Sequence, residues 1–375
     1  MSGDINDNNP KVHIPVVVGN YFPFRLVLRE NDTWHPTLDE INYKNYDYVK
    51  LTRLSTFIDV GISPLSLGIS FSGSLILPAI PEYRDRELAL NKFNETLGFF
   101  LLGGVYCEAI QPTDISSGKL FQDGYLKLGN GGSGYYAELN RAFQTKHVGH
   151  HDVIKLLNPL TIQASELEKA YQLGKGYFAK IGSLSPALLL NGTSNYVRNQ
   201  WGESLIFLWT SIEQVINIIW VKEIAKENSE ENVIEGRRTF LKDFRTWTTS
   251  TKIELLFQKD FITILDYQLL NKARKLRNDF VHNGRKLSQE QVKNALIALF
   301  RLISLTISSY EDATLLDETL ETIYKNEREE LFPKDNIING VTHWLSIPPI
   351  PGDPSWGDKS YEIIEELVLK PLIRD

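Results

Sequence analysis

The chain of 375 residues contains 42% hydrophobic and 23% charged residues and carries a formal net charge of -7. This length is sufficient for two folded domains, and the composition is typical of a globular protein and excludes a fibrous or wholly disordered chain. The acidic balance also argues against a protein whose whole surface coats nucleic acid.

Three features predict a cytoplasmic protein. The single cysteine, Cys107, excludes an internal disulfide framework and is typical of a reducing compartment. The first ten residues have neither the basic nor the apolar part of a secretory signal. The most apolar helical stretches, 203–221 and 292–307, contain Glu213 and Arg301, so neither is predicted to span a membrane.

The first 81 residues are predicted to be rich in strands. Runs of β-branched and aromatic residues cover 12–18, 24–29 and 70–77, and Gly, Pro and Asn-Asp turn signals separate them. Because Pro and Gly also occur inside these runs, we expect short strands or strands at a sheet edge.

Helical spacing replaces this pattern from Glu82. Apolar residues at three- and four-residue intervals predict one helix over 82–102, which stops at Gly103-Gly104, and another over about 161–182. The turn signal Asn191-Gly192 predicts a loop, and we place a domain boundary close to it.

From Trp201 the sequence predicts an antiparallel helical bundle. Its first three helices cover about 201–221, 238–260 and 263–283. A fourth helix opens with a capping box, in which Ser288 caps and Gln291 reaches back. An acidic helix over about 311–330 and a Pro-rich tail follow.

The predicted fold class is therefore α+β, with an antiparallel helical bundle after a β-containing N-terminal domain. Three regions are expected. They are an N-terminal α+β region (1–195), the helical bundle (196–312), and a C-terminal helix with the Pro-rich tail (313–375).

Positive charge is concentrated in the bundle. Residues 236–301 contain 14 Lys/Arg and six Asp/Glu, a net charge of +8 within an acidic chain. Such a window favours a phosphate-binding track over a merely solvated face, although both interpretations remain open. The candidate contacts are Lys272, Arg274, Lys275, Arg285 and Lys286.

The segment from Arg277 to His282 carries residue types suited to chemistry on a phosphodiester. Arginine offers a rigid fork of donors to phosphate oxygens and stays charged, while histidine, with an unperturbed pKa of about 6.5, transfers protons near neutral pH. RNA supplies its own nucleophile, the 2′-OH, so such a site needs no metal. On a helix the two residues lie about 140° apart around the axis, and Asn283-Gly284 predicts that the helix ends there.

This pattern resembles the Arg-x(4-6)-His motif of HEPN domains, which favour a polar residue after the arginine, as Asn278 is here. The flanking segments 205–215 and 276–284 are most similar to the ApeA-like branch of that family. The resemblance covers about 200–312, under a third of the chain, and leaves the N-terminal region and the tail without a counterpart.

The resemblance implies a homodimer in which the motifs of two protomers form one composite cleft. It implies metal-independent, cofactor-free cleavage of RNA that leaves a 2′,3′-cyclic phosphate, often within toxin–antitoxin or anti-phage systems with an antitoxin or phage-derived trigger as partner. Arg277 would bind the phosphate, His282 would act as acid or base, and Asn278 would orient one of them. Glu213 would position Arg277, and the N-terminal region would sense a trigger or select the RNA.

Other interpretations remain open. A HEPN bundle can also dimerise and bind a nucleotide or nucleic acid as a non-catalytic scaffold for another effector. Gly129–Gly134 and Ser117–Leu120 lack the Lys-Ser/Thr ending of a phosphate-binding loop and are interpreted as turns. The spacing of four other residues resembles that of metal ligands: His147, His150, His151 and Asp152. A solvated loop is the simpler interpretation of this segment, so no metal is assigned.

Overall fold

Strands and helices are both present in the part of the chain that the structure describes. The computed structural model describes residues 13–29, 53–61, 66–121, 124–128, 160–226, 233–307 and 310–328. The strands are β1 (Ile14–Gly19), β2 (Arg25–Leu28), β3 (Leu54–Ile58), β4 (Leu67–Ser70), β5 (Leu75–Pro78), β6 (Ile115–Phe121), β7 (Gly124–Leu128) and β8 (Leu160–Gln163). The predicted α+β class is confirmed at this coarse level.

Ten α-helices lie within the described ranges. They are α1 (Pro81–Arg84), α2 (Arg86–Leu102), α3 (Ala164–Ile181), α4 (Pro186–Val197), α5 (Trp201–Ile219), α6 (Arg237–Lys242), α7 (Thr249–Gln258), α8 (Ile264–Asn283), α9 (Gln289–Ile307) and α10 (Tyr310–Lys325). A π-helical segment, Trp220–Ala225, continues α5. The predicted tail from Pro348 lies outside the described residues.

Six strands form one antiparallel sheet in the order β3-β4-β5-β1-β6-β7, and β2 pairs in parallel with β8. Strand β1 is short, which is one of the two expected outcomes, and it lies inside the sheet. Its Pro15 pairs with Lys119 of β6, whereas the ladder with β5 begins one residue later, at Val16. The Pro15 carbonyl accepts from Ala79, just beyond β5. The Pro15 nitrogen, which has no hydrogen to donate, therefore faces the β5 side just beyond the end of the β1–β5 ladder.

Two predictions in this half were wrong. The run 70–77 is a hairpin and not one strand, because Gly73 takes a φ of +80° between β4 and β5 and the Ser74 amide donates to Ser70 Oγ at 3.0 Å. Ser117–Leu120, interpreted as a turn, lies within β6, where it pairs with β1 on one side and β7 on the other. Pairing on both sides fixes this Gly-containing segment as a strand.

Most helices agree with the prediction, but two helical assignments were wrong. Asn191-Gly192 lies inside α4, where a Cβ at residue 192 would stand 2.9 Å from Leu208 Cδ2. That glycine permits close packing on α5 and does not mark a loop. The predicted helix over 238–260 is divided into α6 and α7, because the Asp243 carboxylate accepts from the Thr246 hydroxyl at 2.6 Å and stabilises a turn.

One hydrophobic core joins the sheet to the helices. It includes Val17 and Leu77 from the sheet, Phe93 from α2, and the buried faces of α5, α8 and α9. The predicted boundary at residue 195 lies inside α4, and all described helices and strands belong to one unit, residues 1–327. The separate roles assigned to the three regions remain predictions.

Within the described residues, α5 and its π-helical continuation form one stretch long and apolar enough to cross a membrane. Of the most apolar window of this stretch, 56% is buried inside the protein. Because α4, α8 and α9 pack against it, it behaves as a core helix.

A glycine allows α2 and α3 to cross closely. A Cβ placed on Gly174 would lie 1.9 Å from the Phe99 carbonyl oxygen, which no side-chain rotation can relieve. We therefore expect Gly174→Ala to destabilise the protein by about 1–3 kcal/mol or more. On the same helix, a Cβ added to Gly176 would meet nothing within 4 Å, and Gly176→Ala should be neutral or stabilise by about 0.5–1 kcal/mol. Denaturant unfolding of the two variants tests this contrast, and equal effects would contradict it.

Candidate active site

Helix α8, which carries the Arg277–His282 segment, is fixed at its start by a capping box. Thr263 Oγ1 accepts from the Asp266 amide at 3.3 Å, and the Asp266 carboxylate accepts from the Thr263 amide at 2.9 Å. The same carboxylate is buried and pairs with Arg301 Nε of α9 at 2.5 Å. These contacts fix the direction in which α8 leaves the preceding loop.

Asp266 makes this anchoring dependent on pH. Burial alone would raise the pKa of its carboxyl group, but hydrogen bonds from Arg301 and Thr263 outweigh burial and hold the pKa below its ordinary value of 3.8. A lowered pKa means that the carboxylate stabilises the folded state above about pH 4, and that this contribution is lost as the pH falls through the folded value.

We therefore expect Asp266→Asn to cost about 1–3 kcal/mol at neutral pH, since charged hydrogen bonds are lost. The difference from the wild type should shrink as the pH falls below about 4, where the unfolded chain takes up the proton, and should disappear below the lowered folded-state pKa, where the folded wild-type carboxylate is itself protonated. Urea unfolding at neutral and acidic pH measures both values. A difference that stays constant across this range would contradict the assignment.

The apolar face of α8 is buried through Leu269, Ala273 and Leu276, which recur at helical spacing. Phe280 lies against the start of α5, where a Cβ on Gly202 would stand 2.5 Å from its ring. The last turn of α8 is therefore seated on the first turn of α5. This contact determines which side of the Arg277–His282 segment faces solvent.

Helix α8 ends where the sequence predicted. Gly284 takes a φ of +61°, a left-handed conformation that favours glycine, and its amide donates to the Phe280 carbonyl at 3.0 Å. Arg277 and Asn278 are half-buried, and Arg277 Nη1 donates to Asn278 Oδ1 at 3.2 Å. His282 is exposed in the last turn. The next helix starts with the predicted capping box, in which the Ser288 amide donates to Gln291 Oε1 at 3.0 Å.

Arg277 and His282 do not face one another within a protomer. Five helical residues separate them by about 140° around the axis and about 7.5 Å along it. The hydrogen bond of Arg277 to Asn278 uses one of the five donors of the guanidinium group. One protomer therefore presents an arginine and a histidine on neighbouring but divergent parts of the same surface.

The basic residues beside the segment differ in their availability. Lys272, Lys275 and Lys286 are exposed. Arg285 is paired with Asp279 at 3.3 Å across the end of α8. Asp279 was not among the predicted site residues, although an acidic residue inside a basic segment is a visible signal for such a pair.

Arg274 is half-buried, so part of its side chain is enclosed by its neighbours. Its Nε is buried and has no hydrogen-bond partner among the described groups. The five basic residues therefore do not form one uniform track, since three project into solvent, one is paired and one is partly enclosed.

Glu213 lies elsewhere on the bundle. It is eleven residues along α5 from Gly202, about 16 Å at the helical rise, whereas Arg277 is close to the Gly202 end. Its Oε1 accepts from the Thr249 hydroxyl at 3.0 Å, at the start of α7. The structure thus does not bring Glu213 to Arg277. Sequence spacing alone cannot give the level along α5 at which Arg277 lies.

The four residues with metal-ligand spacing, His147 to Asp152, and the glycine segment 129–134 lie outside the described residues. Within the ranges that the structure describes, no three His, Cys, Asp or Glu side chains come together as metal ligands. Cys107 is buried beneath α2, and burial raises the pKa of its thiol to about 12. That thiol is therefore not a nucleophile near neutral pH.

Comparisons of the chain with protein-family models, with characterised proteins and with solved structures found no match. The chemical interpretation of the Arg277–His282 segment therefore rests on its residues, their placement and the resemblance of their pattern.

Proposed function

We propose that this chain is a HEPN-type endoribonuclease that acts as a homodimer and cleaves RNA without a metal or other cofactor. The observation that supports the proposal is the position of Arg277, Asn278 and His282 at the solvent-facing end of α8. The helix ends directly after them at Gly284, in a left-handed turn. Phosphate oxygens can therefore approach the segment without meeting a further helical turn.

In the proposed reaction, the imidazole of His282 removes the proton of the 2′-OH. The 2′-oxygen then attacks the adjacent phosphorus, and the bond from phosphorus to the 5′-oxygen breaks. A second protonated imidazole supplies the proton that the leaving 5′-oxygen takes up. The products are a 2′,3′-cyclic phosphate and a 5′-hydroxyl, and Arg277 neutralises charge that develops on the non-bridging oxygens. Asn278 holds the guanidinium group in place.

The dimer is part of this proposal for a geometric reason. Because Arg277 and His282 diverge within a protomer, a second copy must supply the facing groups of a complete site. Such activity would be harmful in an unrestrained form, so an antitoxin or a phage-derived trigger is the expected partner. The proposed setting is a cytoplasmic toxin or anti-phage effector, with residues 1–195 sensing the trigger or selecting the RNA.

The direct test is an RNA cleavage assay with end-group analysis in the presence of a chelator. We expect cleaved fragments with cyclic phosphate and 5′-hydroxyl ends. An otherwise identical oligonucleotide with 2′-O-methyl groups should remain intact, because it has no free 2′-OH. RNA that stays uncut with and without extract from phage-infected cells would contradict the proposal.

A second candidate is a non-catalytic module that dimerises and binds a nucleotide or nucleic acid as a scaffold for another effector. The divergence of Arg277 and His282, together with the internal contact of Arg277 to Asn278, favours this candidate. Binding of RNA without cleavage, in a protein whose cellular effect survives loss of both residues, would support it.

A further inference from the structure

A group of four aromatic side chains lies at the far end of α5, and two of them are exposed. We call Trp220, Phe240, Phe244 and Trp247 the aromatic platform. Phe240 and Phe244 are 52% and 75% exposed, which is unusual for phenylalanine. Val233 and Ile234, just before α6 in the chain, are also 84% and 64% exposed. Exposed apolar side chains grouped in one segment indicate a candidate binding surface.

The platform is held in a defined position. The rings of Trp220 and Trp247 pack with centroids 4.9 Å apart, and Phe240 meets Trp247 edge-on at 5.4 Å. Trp247 Nε1 donates to the Phe240 carbonyl at 2.9 Å, and Trp220 Nε1 donates to the Leu241 carbonyl at 3.3 Å. The two indoles therefore fasten α6 to the end of α5 and leave the two phenylalanine rings outside.

Cations alternate with these rings. Arg245 Cζ lies 5.8 Å from the Phe244 centroid, and Lys252 Nζ lies 5.8 Å from the Trp220 centroid. Residues 233–252 contain five Lys/Arg and two Asp/Glu, a net charge of +3 in a chain of net charge -7. The combination of exposed rings with neighbouring cations matches a ligand that offers flat bases and phosphates.

We infer that the aromatic platform binds single-stranded RNA and anchors the substrate of the proposed ribonuclease away from the site of cleavage. The inference rests on the proposed function for the identity of the nucleic acid. Trp220 is eighteen residues along α5 from Gly202, about 27 Å at the helical rise. A stacked single strand of roughly eight nucleotides, at about 3.4 Å each, spans that distance.

Two other occupants fit less well. Helix α6 has only six residues, which is too short for an amphipathic helix lying in a membrane interface. A symmetric contact between two copies would bring the same positive surfaces together, which like charges oppose. A single strand of RNA requires no long amphipathic helix, and its negative charge is attracted to this surface.

The test measures binding to a fluorescent 2′-O-methyl oligonucleotide of about 12 nucleotides, within the usual range of single-strand site sizes. Full-length protein is used, and the probe cannot be cut by 2′-OH attack. We expect Phe240→Ala, Phe244→Ala together to weaken binding at least about tenfold, since each base stacked on a ring contributes strongly. Phe57→Ala, which removes another exposed phenylalanine, should bind like the wild type.

Two further single-residue variants distinguish a loss of RNA contacts from a loss of folding. Phe244→Ala alone removes the more exposed ring and should weaken binding in a protein with an unchanged melting curve. Arg245→Gln should lower the salt dependence of binding, by about 0.7 in the slope of log affinity against log salt for one lost phosphate contact.

The inference is overturned if the wild type does not bind the probe, or if the phenylalanine variants bind it equally well. It is also overturned if those variants lose binding to phosphatidylserine vesicles or lose self-association while retaining the RNA. Binding is read without cleavage, so loss of platform binding and failure of the proposed nuclease remain separate results.

Discussion

Arg277→Ala and His282→Ala are each expected to reduce the rate of RNA cleavage at least about a hundredfold. Loss of His282 removes proton transfer, which contributes about 10²–10⁴-fold. Loss of Arg277 removes stabilisation of charge on the phosphate, an effect of about 10²–10³-fold. Arg277→Lys should recover only part of the rate, because an ammonium group keeps the charge but not the fork of donors. Single-turnover cleavage of a labelled RNA measures all three variants.

Gln268→Ala is the matched control, because Gln268 is exposed on the same helix and uncharged. It should cleave at the wild-type rate. Mixing the two inactive variants adds a test of the dimer. In a mixed dimer the composite site contains one Arg277 and one His282, whereas each variant alone lacks one of the two residue types, so the rate should rise above that of either variant. It should stay below the wild-type rate, because one of the two imidazoles is missing. Wild-type rates in the single variants would contradict a catalytic role for the segment.

Glu108→Ala is expected to cost about 3–5 kcal/mol of folding free energy, because it breaks a buried ion pair. The Glu108 side chain is fully buried and its Oε2 lies 2.6 Å from Arg198 Nε, just after α4. Its other oxygen accepts from the Tyr106 hydroxyl at 3.2 Å. Without the carboxylate, the guanidinium group of Arg198 loses its charged partner and keeps one bond to the Ala109 carbonyl.

Chemical denaturation measures this effect, and two variants calibrate it. Glu108→Gln keeps an acceptor for Tyr106 but removes the charge, so it should fall between alanine and the wild type. Glu87→Ala removes an exposed carboxylate from α2 and should change stability by no more than about 0.5 kcal/mol. If Glu108→Ala unfolds at the wild-type denaturant concentration, the apolar core alone joins the segment around residue 108 to α4.

The sequence was sufficient to predict those structural features that depend on interactions between residues close together in the chain. The end of α8 followed from Asn283-Gly284, and the start of α9 followed from Ser288 and Gln291, because left-handed glycine and capping boxes act within a few residues. The buried face of α8 is local in the same sense, because Leu269, Ala273 and Leu276 recur at helical spacing.

The misplaced elements depended on contacts between distant parts of the chain. Gly192 has the composition of a turn, but Leu208 makes it a packing glycine within a helix. Pro15 allowed either a short strand or an edge strand, and a small offset between the two ladders accommodates it inside the sheet. Neither the offset nor the neighbour is visible in a local window of sequence.

In the candidate site, too, the sequence predicted local features but not contacts between distant parts of the chain. Residue types and spacing identified Arg277, Asn278 and His282, and the helix places them as expected. The family resemblance implied that Glu213 positions Arg277, but the distance between them depends on how α5 and α8 are offset along their axes. The aromatic platform was not predicted, because periodicity assigned Phe240 to one long helix. The break at Asp243 is what leaves Phe244 exposed.

The core shared by the sheet and the helices limits how this protein can be divided or rearranged. A fragment that begins at residue 196 would cut through α4 and expose the apolar surface of α5 that α4 covers. We expect such a fragment to aggregate, so residues 196–312 should not fold as an independent domain. If residues 1–195 sense a trigger as proposed, the signal must reach Arg277 by displacing whole helices or by changing how copies assemble, because close packing leaves little freedom for gradual repacking.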